Sequence, residues 1–77
     1  MSKNLKAFGQ FLVDLRTESR LEIVEVVTRL GLESDQPVLD WESGKSLPPR
    51  EYLLNLSRLY RIPFKELCDV WEDTNKI

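Results

Sequence analysis

Glycine and proline punctuation limits this chain more than any other feature. Gly31, Gly44, Pro48-Pro49 and Ile62-Pro63 cut everything after residue 30 into short pieces. A glycine suits the left-handed position just past a helix, and proline opens a helix but cannot continue one. Ahead of the first break, Leu5, Phe8, Phe11, Leu12 and Leu15 recur at spacings of three and four. That stripe predicts an amphipathic helix from about residue 4 to 18. Ser19-Arg20-Leu21-Glu22 reads as a capping box opening a second helix, which buries Ile23, Val26, Val27 and Leu30 and ends at Gly31. The β-branched run Ile23–Val27 has strand propensity, but the box before it and the glycine after it favour helix.

Ser34 or Asp35 is expected to cap a short third helix carrying Pro37 in its first turn, then Val38, Leu39, Trp41 and Glu42, with Gly44 as its stop. A fourth helix is expected from about Arg50 to Arg61, with Leu53, Leu56 and Tyr60 facing inward. A fifth runs from about Phe64 to Trp71, burying Leu67 and Phe64. These short helices joined by tight turns predict an all-α, five-helix orthogonal bundle. The reading is one domain over residues 1–77, with its core at about 5–71 and a frayed tail at 72–77.

Composition narrows the function classes. Hydrophobic residues make up 42% and charged residues 31% of the 77, as in folded soluble domains. There is no histidine, and Cys68 is the one cysteine. Histidine-based catalysis, zinc sites of the usual donor sets and an internal disulfide are thereby excluded. No cofactor or metal is expected, and an enzyme is disfavoured. Asp35 and Asp40 can be imagined as an acid–base pair, but no pocket is signalled around them. Cys68 reads as a small core residue, and a lone thiol suits a reducing cytoplasm. No apolar run approaches the roughly 20 residues of a membrane span, and the first residues do not look like a secretion signal.

Net charge is −2, yet the charges are segregated. Residues 33–42 hold Glu33, Asp35, Asp40 and Glu42 with no base, whereas residues 43–65 hold Lys45, Arg50, Arg58, Arg61 and Lys65 against Glu51 alone. Residues 66–77 are acidic again, with Glu66, Asp69, Glu72 and Asp73 against Lys76. An uneven solvated surface would look like this, and so would a cationic stretch that meets a polyanion beside an acidic stretch that resists one.

The order of signals resembles the Cro/lambda-repressor-like (xenobiotic-response-element type) helix-turn-helix family. The matching residues are Leu15-Arg16, Leu21, Leu30-Gly31-Leu32, Val38, the run Trp41-Glu42-Ser43-Gly44-Lys45-Ser46-Leu47-Pro48, and Ile62-Pro63-Phe64-Lys65-Glu66-Leu67. The resemblance implies an ion pair between Arg16 and Glu42. It also implies that the third helix enters the DNA major groove, with Asp35, Gln36, Leu39 and Asp40 as base-reading residues. Gln36 suits adenine, an acid can accept from the cytosine amine, and Leu39 suits a thymine methyl. Phosphate contacts would fall to Lys45, Ser46, Arg50 and Arg20. Three features depart from the family pattern. The stretch from Gly31 to Glu42 is about one residue longer, Pro37 stands at a recognition position, and Ile23 stands where a phosphate-binding glutamine is common.

Two function classes follow. The first is a small DNA-binding transcriptional regulator acting on paired half-sites as a homodimer, with Trp71, Ile77, Val70 and Leu47 as dimer-contact candidates. The second is a protein-interaction module of the same fold, of antitoxin or phage-accessory type, whose acidic third helix binds a protein partner instead of DNA. For Trp71 the alternative to a dimer contact is closure of the core. The disposition of Lys45, Arg50 and Arg20 around the acidic helix separates the two classes.

Overall fold

A computed structural model describes residues 4–75 of the chain. Helix α1 spans Leu5–Glu18, α2 Ile23–Leu30, α3 Gln36–Ser43, α4 Leu53–Tyr60 and α5 Phe64–Asn75. A single 3₁₀ turn, Arg50–Tyr52, leads into α4. The described residues form a compact all-α domain of five helices with no strand.

Asn4 opens α1, its side-chain oxygen accepting from the backbone N–H of Ala7 at 3.0 Å. The apolar stripe buries Phe8 and Leu12, with Phe11 and Leu15 packed beside them. Gly9 is buried on the same face and lies against the end of α3.

The capping box between α1 and α2 falls three residues later than the spacing of Ser19 and Glu22 predicts. Ser19 closes α1, its N–H returning to the Leu15 carbonyl at 3.0 Å. Arg20 then turns left-handed, with φ 58°. Glu22 occupies the cap of α2, and the Glu25 carboxylate accepts from the Glu22 N–H at 2.8 Å. Both arrangements place a polar residue three positions ahead of a glutamate, and the left-handed arginine decides between them.

Gly31 ends α2 at φ 72°, and Gly44 ends α3 at φ 86°. Both sit in the region that a side chain disfavours by about 1–2 kcal/mol. Asp35 stands at the cap of α3 but makes no side-chain capping bond, and neither does Ser34, contrary to expectation. Pro37 lies in the first turn, where its missing N–H removes no helix bond. Arg61 ends α4, again left-handed at φ 58°.

Two features of α5 correct the expectation. The helix continues through Asn75, so residues 72–75 are helical and not a frayed tail; the Thr74 hydroxyl donates to the Val70 carbonyl at 2.9 Å. Phe64 is 47% exposed at its start, because the inward position of this first turn belongs to Leu67. Leu67 is fully buried, a burial that contributes about 1.5–3 kcal/mol. Val26, Val38, Trp41, Leu53, Leu56 and Tyr60 complete the centre of the core. Among the described residues no buried side-chain nitrogen or oxygen lacks a hydrogen-bond partner, and no helix is long and apolar enough to cross a membrane.

Candidate nucleic-acid interface

Helix α3 is held by one face and open on the other. Val38 and Trp41 are buried, while Gln36, Leu39 and Ser43 are exposed and Asp40 is half-buried. Its C-terminal end is tied to α1 by a two-pronged ion pair. Arg16 Nε donates to Glu42 Oε2 at 2.8 Å and Arg16 Nη2 to Glu42 Oε1 at 3.2 Å. Arg16 Nη1 also donates to the Leu21 carbonyl at 3.1 Å, so one guanidinium joins α1, the α1–α2 connection and α3. The Glu42 hydrogen bond holds the Arg16 guanidinium above its ordinary pKa, against the opposing pull of burial.

The four residues expected to read bases share the exposed side and tip of this helix. Gln36 Nε2 donates to Asp40 Oδ1 at 2.8 Å, so two of the four satisfy each other across one helical turn. Leu39 is 40% exposed on the same helix. Asp35 lines an open groove of about 800 Å³ together with Arg16, Arg20, Glu22 and Val24.

The four residues expected to contact phosphate do not form one collar. Lys45 and Ser46 are exposed just past Gly44, at the C-terminal end of α3. Arg20 is exposed in the groove that also holds Asp35, at the N-terminal end of α3. Among the described residues neither Lys45 nor Arg20 has an ion-pair partner. Arg50 is turned toward α5. Its Nη2 lies 3.5 Å from Glu72 Oε2, and its guanidinium sits 5.8 Å from the centre of the Trp71 ring.

Among the dimer candidates, Trp71 takes the core-closing alternative. Trp71 is half-buried, and its indole Nε1 donates to the Pro48 carbonyl at 2.8 Å, closing the core. Val70 and Leu47 are half-buried and packed on the core, and Ile77 lies outside the described residues.

On the other side of the Gln36–Asp40 pair, a groove of about 540 Å³ runs between α3 and the following loop. Pro37, Leu47 and Tyr52 give it apolar walls, and Asp40 and Glu51 give it negative charge.

Sequence reasoning passed over Gly9, although an isolated glycine inside an amphipathic pattern signals close backbone approach. It also did not group Arg20 with Arg29 and Arg61, which the fold brings to one groove. No protein-family model and no curated protein matches the chain.

Proposed function

We propose that this chain is a helix-turn-helix, lambda-repressor-like domain that binds double-stranded DNA, with α3 as its reading element. The observation that carries the reading is the setting of α3. The helix is clamped on its inner side by Val38, Trp41 and the Arg16–Glu42 pair, and it offers Gln36, Leu39 and Asp40 outward. Cations without an ion-pair partner among the described residues stand at both of its ends, Arg20 in the groove that Asp35 also lines and Lys45 past Gly44. In this reading α3 lies in the major groove and the two cations meet phosphates on either side. Asp40 has to meet a cytosine amine rather than a phosphate, which makes the domain selective before it is tight.

The regulator acts in the cytoplasm, as a homodimer on half-sites about one helical turn apart. With Trp71 committed to Pro48, Val70 and Leu47 are the dimer-contact candidates among the described residues. The test is fluorescence anisotropy of labelled duplexes, random and selected, across a salt series. Binding that weakens steeply with salt is expected, and Arg20→Ala or Lys45→Ala should each reduce the slope by about one. No salt-sensitive binding at low ionic strength would refute the reading.

A second reading rests on the groove between α3 and its following loop. Apolar walls with Asp40 and Glu51 at the edge suit a basic, partly apolar segment of a protein partner. In that case Asp40→Asn weakens the protein complex, whereas in the DNA reading it alters base preference.

A further inference from the structure

The C-terminal ends of α1, α2 and α4 meet around a groove of about 450 Å³ lined by Arg20, Arg29 and Arg61. Half-buried Leu21 and Leu59 and buried Tyr60 form its apolar part, and exposed Glu18 also borders it. A smaller groove of about 210 Å³ shares Arg29 and Leu59 and adds Arg58. The four arginines are exposed, and among the described residues none has an ion-pair partner.

Two of them stand where the backbone is least suited to them. Arg20 and Arg61 both have φ 58°, a region that glycine occupies at the ends of α2 and α3 in this same molecule. A cation near a helix C-terminus offsets the helix dipole, which accounts for one arginine at each end. It does not account for arginine in place of glycine at two left-handed positions that open onto one concavity. Backbone strain of this kind is retained where the side chain has a task.

We propose that this arginine-lined groove docks an acidic peptide segment of a partner protein. Guanidinium groups are planar forks that take carboxylates two-pronged, and here they surround an apolar patch able to accept a side chain lying between the acids. A duplex fits less well. Its uniform row of phosphates would meet Glu18, whereas a peptide can set an uncharged residue opposite that carboxylate. No residue of α3 lines either groove, so the docked segment leaves the reading helix open. Arg20 borders both this groove and the one beside Asp35, and the test therefore leaves Arg20 in place and changes Arg29 and Arg61, which the DNA reading does not use.

The test uses the full chain and a short fluorescein-labelled peptide rich in glutamate with one central leucine. Wild type is expected to bind it saturably and less tightly as salt rises. The double variant R29Q/R61G is expected to bind at least about tenfold more weakly. Its melting temperature should hold or rise, since glycine relieves the left-handed residue, and the single variant Arg61→Gly repeats the test should the double variant unfold. Lys65→Ala, on α5 and outside both grooves, is expected to leave peptide binding unchanged. Unchanged peptide binding in R29Q/R61G overturns the proposal. So does a parallel loss of duplex affinity, which would assign the groove to DNA. Salt-sensitive self-association in sedimentation that this variant abolishes overturns it as well, by making a second copy the occupant.

Discussion

Gly9 on α1 faces the backbone carbonyl of Glu42 on α3 so closely that a Cβ built on it would lie 2.5 Å from that oxygen. The Trp41 carbonyl would be 2.8 Å away. Both neighbours are main chain and cannot rotate aside, so any side chain at residue 9 pushes the two helices apart.

Gly9→Ala is therefore expected to destabilise the domain by about 2 kcal/mol. The overpacking penalty outweighs the helix propensity that alanine adds. In a domain of this size the melting temperature should fall by roughly 10 °C, read by circular dichroism. A variant as stable as wild type would mean that the two helices pack with slack.

The Arg16–Glu42 pair is shielded, with side-chain exposures of 20% and 9%. Arg16→Met leaves the Glu42 carboxylate without its partner and should cost about 3 kcal/mol in urea unfolding. The double variant R16M/E42L should recover most of that loss, because an apolar pair replaces a buried charge. A double-mutant cycle with coupling near zero would show that the two residues act independently.

Stability should also fall at alkaline pH through Tyr60. Burial, and secondarily the nearby Glu42 carboxylate, hold the Tyr60 phenol well above its ordinary pKa of 10.0, while Arg16 works the other way. The folded state keeps the proton after the unfolded chain has begun to lose it. The stabilisation is complete below about pH 10 and is lost progressively as pH rises from there toward the folded value. Tyr60→Phe should leave stability at neutral pH almost unchanged and flatten the decline above pH 10, as urea melts across that range will show.

Trp71→Phe keeps an aromatic ring but removes the donor to the Pro48 carbonyl. A loss of about 1–2 kcal/mol is expected, together with a looser connection between α3 and α4. Sedimentation of the same variant bears on self-association. An unchanged oligomeric state is expected, since the indole is engaged within its own subunit.

Much of the fold could be read from the residues because breakers and apolar spacing agree. Gly31, Gly44 and Pro63 mark real ends, and the stripe buries Phe8 and Leu12 and packs Phe11 and Leu15 against the core, leaving Leu5 at its edge half-buried. The start of α2 differs from the expected one because arginine in a left-handed turn has no sequence signature, and Ser19 imitates a cap. Residues 72–75 lack apolar periodicity, so no spacing signals the last turn of α5. At the candidate interface, the exposure of Leu39 follows from helix spacing, whereas the engagement of Gln36 with Asp40 and of Arg50 with α5 depends on rotamers. The arginine groove draws on ends of three helices far apart in the chain, and such convergence becomes visible only in three dimensions.

The missing side-chain cap at the start of α3 makes that helix a lever pinned at one end. Arg16 fastens the far end through Glu42, while ahead of buried Val38 the near end has only the Asp35 carbonyl's bond from the Leu39 N–H, the Gln36–Asp40 bond and a proline. Local opening should be easiest around Asp35 and hardest around Trp41. The tip of the helix can then adjust its pitch to whatever surface it meets, without disturbing the core beneath it.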